Sequence, residues 1–260
     1  MPQDAPYGGT TFPPSARPWT VRRASAPPPA VVERAEVPRD TRYTISWLDR
    51  DGLIEDRTVA APSTPLFTDA FAAIARGGLV LTPDGATAIE DLLPGDRVIT
   101  SRGAEPLLWK GNRVIAPSHR NLTLYRVAAD SLGPGRPMPD LLLGPAARLV
   151  SRRTALRTLI GADAALVPVA ALADGEAVIE IHPMSMVDIF HLGFARHATF
   201  TVNGVELDSV HPGALTGTMP DTIERLYMSL FPHLSHPSDF GTLAMQRLYG
   251  DILAKITHAA

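Results

Sequence analysis

The sequence predicts a mainly β fold, a compact domain of many short strands followed by two short C-terminal helices. Its apolar runs are short and end in turn residues, as where Leu79–Leu81 leads into Pro83-Asp84-Gly85. Asn203-Gly204, the strongest short hairpin signal, lies between two further apolar runs. A clear amphipathic helical pattern appears only after Pro220. Together these observations favour an all-β domain with a helical extension.

Composition excludes several classes of function. A net charge of −3 over 260 residues argues against a protein that binds nucleic acid by broad phosphate neutralisation. The absence of cysteine excludes disulfides, thiolate metal ligands and thiol nucleophiles. No apolar run reaches the ~18 residues of a membrane span, no signal-peptide pattern begins the chain, and no phosphate-binding glycine motif is present. We expect no nucleic acid, cofactor or membrane span, and a cytoplasmic location by default, with signal-less export as the alternative.

The sequence divides into four regions. Residues 1–40 are rich in proline and are predicted to be a disordered tail, whose Pro27-Pro28-Pro29 run is either a linker or a peptide ligand. Residues 41–66 are predicted to be a β-hairpin extension with a turn at Asp49–Gly52. Residues 67–213 form the β-domain, and residues 214–260 form a helical extension packed on it.

The β-domain pattern predicts a series of short elements. A helical turn or two at 67–76 comes before the strands around Pro83–Gly85, and an acidic turn at 90–96 leads to the strand 97–100. A strand at 140–150 is interrupted at Gly144-Pro145, as expected of a bulge or corner. The remaining predictions are strands at 107–109, 113–115, 122–129 and 177–181, a short helix at 164–173, and a strand pair at 188–194 and 198–202.

Two amphipathic helices are predicted to close the chain. Asp221–Glu224 is a capping-box pattern, and the apolar residues that follow it recur at helical spacing as far as Pro232. From about Leu243, the same spacing recurs through Leu248, Tyr249 and Ile252. We expect both apolar faces to cover the β-domain, with a partner surface as the alternative.

Three blocks, in this order and spacing, carry a resemblance to a known family. The first is Ala73–Thr100 with its two turns, the second is Pro139–Val150, and the third runs from Phe190 to Gly213 with His191, His197 and Asn203-Gly204. The chain from about Phe71 to Gly213 resembles the Hint (hedgehog/intein) domains, which are autoprocessing modules, in their bacterial form. This resemblance implies a Hint-like β-fold.

The resemblance also implies a chemistry whose residues are missing from this chain. In the family, a Cys or Ser attacks the carbonyl that precedes it, while a His in the middle block protonates the leaving nitrogen. Here the nucleophile position holds Ala73, the His position holds Ala147, and the Ser before proline is Gly144. The chain ends His258-Ala259-Ala260, without the His-Asn of splicing members. The resemblance therefore implies a degenerate member, with the scaffold but without its activity.

Two functions follow as hypotheses. The first is a catalytically inactive Hint-type module with a binding or structural role, whose protein partner is unknown. The alternative is autoprocessing through a non-Cys nucleophile such as Thr64 or Thr68.

Several other polar residues are weaker candidates. His191 and His197 are a candidate residual site, and a metal there would need Asp188 or Asp208 as a third ligand. We expect these histidines to be hydrogen-bonded elements of the fold and predict no metal. Ser209 and His211 are poorly spaced for a nucleophile and base. Glu90, Asp91 and Asp96 are explained by turn chemistry, and the glycosylation triplet Asn121–Thr123 by chance.

Overall fold

A computed structural model describes residues 39–117, 123–213 and 219–258. Residues 1–38 of the predicted tail, which include the Pro27–Pro29 run, and Asn121 lie outside these residues. The strands of the described part are β1 (Thr41–Leu48), β2 (Ile54–Ala61), β3 (Ile74–Ala75), β4 (Leu79–Thr82), β5 (Gly85–Ala88), β6 (Arg97–Thr100), β7 (Gly103–Pro106), β8 (Trp109–Ile115), β9 (Leu124–Val127), β10 (Leu141–Leu143), β11 (Arg148–Ser151), β12 (Ala165–Pro168), β13 (Val178–Ile181), β14 (Val187–Gly193), β15 (Thr199–Val202) and β16 (Val205–Asp208).

Helices are few and short in the same residues, and none is long and apolar enough to cross a membrane. They are α1 (Pro65–Thr68), α2 (Ala155–Ile160), α3 (Asp221–Met228) and α4 (Gly250–His258), with 3-10 turns at Asp69–Phe71, Val169–Leu172 and Pro237–Phe240. The mainly β prediction and the two C-terminal helices are therefore confirmed.

The first sheet has the strand order β13-β9-β10-β3-β14-β8-β1-β2. The predicted hairpin at its edge is confirmed, with β1 and β2 paired from Thr41 opposite Ala61 to Leu48 opposite Ile54. Asp49 Oδ1 accepts hydrogen bonds from the amides of Asp51 (2.9 Å) and Leu53 (2.7 Å), which closes the turn. Because β1 also pairs with β8, the hairpin continues the sheet of the β-domain.

The second sheet has the order β12-β11-β16-β15-β4-β5, with the β6–β7 hairpin joined to β15. The predicted Asn203-Gly204 turn connects β15 to β16, and both residues have positive φ (49° and 82°), as a type I′ turn requires. At the far edge, Leu166 in β12 bonds to the C-terminal segment: its amide donates to the Gln246 carbonyl (2.8 Å), and its carbonyl accepts from the Leu248 amide (2.9 Å). The C-terminal segment thereby extends this sheet by a short strand-like stretch.

Buried side chains from both sheets form the main core. Ile74, Leu143 and Phe190 of the first sheet share one apolar cluster with Val80 and Phe200 of the second. A second cluster joins the N-terminal hairpin to the C-terminal region, through residues that are mostly aromatic. It contains Tyr43, Phe67, Phe71, Trp109, Tyr227, Phe231 and Phe240. The Trp109 indole donates to the Leu230 carbonyl (2.7 Å), so this cluster also fixes the chain after α3.

Four element predictions are wrong, each because a tertiary contact outweighed local pattern. Residues 109–115 form one strand, since β8 pairs along its length with β14. Residues 188–194 and 198–202 do not pair, because β14 and β15 belong to different sheets. The predicted helix at 164–173 is β12 and a 3-10 turn, paired with β11. The last helix begins at Gly250, because Leu248 is extended against β12.

The helical turn or two predicted within residues 67–76 is present as α1 and the 3-10 turn Asp69–Phe71, and it ends before β3 starts at Ile74. One smaller correction concerns a helix end. Helix α3 ends at Met228, before Pro232, since Leu230 and Phe231 turn into the aromatic cluster.

Candidate functional site

Ala73 and Ala147, the two positions that the resemblance aligns with a nucleophile and a histidine, are both buried. Ala73 immediately precedes β3 and is 2% exposed, while Ala147 immediately precedes β11 and is 1% exposed. Both methyl groups belong to the main apolar core. A methyl side chain offers neither a nucleophilic atom nor a proton, so neither position can take part in an acyl shift through its side chain.

Backbone hydrogen bonds connect these two positions. The Gly144 amide donates to the Ala73 carbonyl (2.8 Å), and the Ala146 amide donates to the Ala72 carbonyl (3.0 Å). The Ala73 amide donates to the Phe190 carbonyl (3.3 Å). The resemblance thus aligned residues that the tertiary structure does bring together.

Glycine is required at the third aligned position for steric reasons. A Cβ atom on Gly144 would lie 2.3 Å from the Ala72 carbonyl oxygen and 2.7 Å from its carbon. Here the chain also passes from β10 in the first sheet to β11 in the second, which confirms the predicted corner. The close backbone contact leaves no room for the serine of the resembled pattern.

His191, the first histidine of the third block, is next to Phe190 on β14 and only 3% exposed. Burial lowers the pKa of His191 to about 4, and the Arg247 and Arg148 guanidinium groups reinforce this. Neither ring nitrogen makes a hydrogen bond of normal geometry with the protein, although the Asp208 backbone is close enough to raise the pKa slightly. His191 is therefore a neutral, buried ring with unused hydrogen-bonding capacity.

His197, the second histidine of the block, belongs to a buried polar cluster with Asp208 and Arg247. The Ala244 amide donates to His197 Nδ1 (2.8 Å), which places the proton of the neutral ring on Nε2, 3.6 Å from Asp208 Oδ2. Arg247 Nη2 lies 3.0 Å from the same carboxylate oxygen. Burial raises the pKa of Asp208, but the His197 ring and the Arg247 guanidinium more than offset it and lower the pKa below its usual value. Asp208 is thus an ionised, buried carboxylate.

His211 is held by the backbone on both sides of its ring. The Gly213 amide donates to Nδ1 (2.9 Å), so Nε2 carries the proton and donates to the Gly241 carbonyl (3.0 Å). Burial lowers the pKa of His211 to about 4. This ring therefore joins the end of the β-domain to the C-terminal segment.

His191, His211 and Arg247 border a cavity of about 290 Å³. Its charged or polar lining is Asp69, Arg148, His191, His211 and Arg247, and its apolar lining includes Leu66, Val210, Tyr227 and Tyr249. Burial raises the pKa of Asp69, although Arg148 and other arginines lower it in part. Three lining residues, Tyr227, Arg247 and Tyr249, come from the C-terminal region. The cavity is therefore built jointly by the β-domain and the C-terminal region.

Asp188, Ser209, Thr64 and Thr68 are not among the residues that line this cavity. No group of three or more His, Asp or Glu side chains in the described residues is arranged to hold a metal. Asp188 accepts from the Asn112 amide (3.3 Å), and Ser209 Oγ accepts from the Ala198 amide (3.1 Å). Thr68 Oγ1 lies 3.4 Å from Asp69 Oδ1, and Thr64 precedes α1.

The acidic turn at residues 90–96 is held by hydrogen bonds and an ion pair. Glu90 Oε2 accepts from the Gly77 amide (2.9 Å), and its carboxylate pairs with Arg76 (3.4 Å). Asp96 accepts from the Leu93 amide (2.8 Å). Lys110 donates to the Glu90 carbonyl (2.9 Å). These contacts close the turn onto β8.

Sequence reasoning missed three lining residues. Arg148 lies at the start of an apolar strand, Arg247 in a predicted helix, and Asp69 in a predicted helical turn. At Arg148 a signal was available in the sequence, because a charged residue stands there among apolar core positions. Nothing in the sequence linked Arg247 to Asp208.

Comparison with known families agrees with the geometry. A model of the Hint domain matches residues 72–214, more than half of the chain. The chain therefore belongs to the Hint domain family. A search among curated proteins found no match. The aligned positions and the three histidines lie within the matched segment, and Arg247, Tyr227 and Tyr249 lie beyond it.

Proposed function

We propose that this chain is a catalytically inactive Hint-type module with a binding or structural role. The observation that carries the proposal is the pair of buried methyl groups, Ala73 and Ala147, at the nucleophile and histidine positions. Loss of one member of a catalytic group costs orders of magnitude in rate, and loss of both nucleophile and general acid removes the route itself.

The contacts of the remaining polar residues support the same proposal. His197 and His211, which a processing site would need to be free to engage a peptide, are bonded to backbone groups of Ala244 and Gly241. Asp208 is paired with Arg247. Fixed contacts of this kind suit a stable scaffold better than a site that must rearrange around a reacting bond.

The competing hypothesis is autoprocessing through another hydroxyl. Thr68 is the better candidate, since its hydroxyl lies 3.4 Å from the Asp69 carboxylate, a group that could accept its proton. An N-to-O shift there would convert the Phe67–Thr68 peptide to an ester through the Thr68 oxygen, which hydroxylamine would cleave.

Intact-mass spectrometry of the purified full chain separates the two hypotheses. We expect a single unchanged mass after incubation with hydroxylamine or a thiol. A discrete loss of mass would overturn the proposal, and its size would locate the broken bond. If cleavage occurred, Thr68→Val would abolish it under the competing hypothesis, while Thr58→Val, in the exposed hairpin, is the matched control.

A further inference from the structure

The cavity bordered by His191 has two chemically different sides. Arg148, Arg247 and His191 lie on its polar side, and Leu66, Val210 and Tyr227 contribute apolar surface. A volume of about 290 Å³ is close to the lower limit of ~300 Å³ for small-molecule sites. A ligand that fits must therefore be small and must combine a polar group with an apolar body.

The side chains on the polar side carry unused hydrogen-bonding groups. Both ring nitrogens of His191, and the Nε atoms of Arg148 and Arg247, are buried without a hydrogen-bond partner. Leaving such a group unpaired is destabilising, and more so when it is charged, so native structures rarely leave several together. Their clustering at one cavity indicates that something else supplies the partners.

The charges around the cavity favour an anion. Arg247 already pairs with Asp208, but Arg148 makes no ion pair with any described carboxylate; its Nη1 donates only to the Ala146 carbonyl (3.2 Å). A neutral His191 can donate one N–H to an anion next to Arg148. Asp69 on the same wall disfavours a second negative charge, which argues for a monoanion over a phosphate dianion.

We propose that this cavity binds a small organic carboxylate, with the carboxylate on Arg148 and His191 and an apolar or aromatic body against Leu66, Val210 and Tyr227. An arginine fork pairs with a carboxylate in a bidentate manner, and Nε of Arg148 is still without a hydrogen-bond partner. The proposal deepens the binding role proposed above and rests on it.

A second cavity, of about 150 Å³, does not carry the same argument. It is lined by Arg152 and Glu206, among others, and these two side chains already pair with each other at 2.8 Å. The anion site is therefore not assigned to this second cavity.

Benzoate is the probe, titrated into the full chain while the His191 imidazole signals are followed by NMR. We expect a saturable shift with a dissociation constant in the millimolar range or tighter. Benzamide, which has the same ring without the charge, is expected to bind at least tenfold more weakly, and inorganic phosphate more weakly than benzoate. Equal binding of benzamide, tighter binding of phosphate, or no saturable benzoate shift would each overturn the proposal.

Variants locate the carboxylate. Arg148→Gln should weaken benzoate binding about tenfold or more, since charged hydrogen bonds contribute about 1.5–3 kcal/mol. Arg148→Lys keeps the charge without the guanidinium fork, and its affinity for benzoate should lie between those of the natural chain and Arg148→Gln. Arg126→Gln is the matched control, because Arg126 is an exposed arginine on β9 that pairs with Asp140. Unchanged binding in a folded Arg148→Gln or Arg148→Lys variant contradicts the assignment.

The outcomes distinguish this inference from the proposed function. Self-cleavage of the natural chain in the mass assay defeats the proposed function whatever benzoate does. An uncleaved chain that fails to bind benzoate defeats only the carboxylate site.

Discussion

Arg247, from the C-terminal region, lies 3.0 Å from the carboxylate of Asp208, at the end of the last strand of the Hint segment. Asp208 is 1% exposed, and Arg247 also donates to the His211 carbonyl (3.1 Å). The residue that balances the buried charge of the β-domain is thus supplied by a segment outside the family match. The C-terminal region is consequently part of the stable unit.

Replacing Arg247 should destabilise the protein strongly. Arg247→Met leaves the buried Asp208 carboxylate without its ion-pair partner, and breaking a buried pair in this way costs about 3–5 kcal/mol. Urea unfolding measures the change. The double variant with Asp208→Asn should lose less than the sum of the single variants, because each removes the other's partner. Arg157→Met, which breaks the exposed pair with Asp163, is the control and should leave the urea midpoint unchanged. A small effect of Arg247→Met would show that Asp208 is not held by this pair.

Stability should fall as pH is lowered from about 6.5 to about 4 because of His191. Its folded pKa is about 4, below the ordinary value of 6.5, so in this window the unfolded chain binds a proton that the folded chain does not. The contribution is fully present above pH 6.5 and is lost as pH falls, by up to about 1.4 kcal/mol per pH unit. Urea midpoints at pH 7, 6 and 5 measure it.

A variant assigns this slope to His191. His191→Gln should reduce the loss of stability between pH 6.5 and 4, although His211 and His233, whose pKa values burial also lowers to about 4, keep part of it. His182→Gln, at an exposed position, is the control. An identical pH profile for His191→Gln and the natural chain would contradict the assignment.

A side chain at Gly144 should not be tolerated. The added Cβ would meet the Ala72 carbonyl oxygen at 2.3 Å. Because Ala72 contributes backbone atoms, this contact cannot be relieved without shifting β3 from β10. We expect Gly144→Ala to cost about 1–3 kcal/mol, as overpacking does, or more. Gly193→Ala is the control, since its nearest contact is a Val210 side-chain carbon at 3.2 Å, which can move. Equal thermal stability of the two variants would contradict the steric argument.

Placing a thiol at position 73 and an imidazole at position 147 should produce a chain that cleaves itself. In Ala73→Cys/Ala147→His, the new thiol can attack the Ala72 carbonyl, which already accepts a hydrogen bond from the Ala146 amide (3.0 Å). A thiol should then release fragments 1–72 and 73–260, detectable by intact mass. Ala73→Cys alone should cleave far more slowly, since it lacks the imidazole. A folded double variant without cleavage would show that more than these two side chains was lost.

Local pattern and family resemblance predicted much of the fold. The hairpin turn at Asp49–Gly52 and the Asn203-Gly204 turn depend on short-range backbone geometry, which residue identity reveals directly. Pairing between distant strands, in contrast, does not follow from short-range geometry. Residues 188–194 and 198–202 are both apolar and adjacent in sequence, yet they enter different sheets. Strand β14 pairs with β8, more than fifty residues away, whereas β15 pairs with β16 across the Asn203-Gly204 turn and with the distant β4 and β6.

The site divides in the same way. By itself the sequence determined that Ala73 and Ala147, which the resemblance aligns with the family's nucleophile and histidine, carry only methyl groups, since side-chain identity alone decides what chemistry is present. Only the tertiary structure decided that Gly144 has no room for a side chain, that His191 is buried with both nitrogens unpaired, and that Arg247 balances Asp208. The physical reason is that burial, hydrogen bonding and charge pairing depend on the three-dimensional neighbours of a residue, and here those neighbours come from segments far apart in the chain.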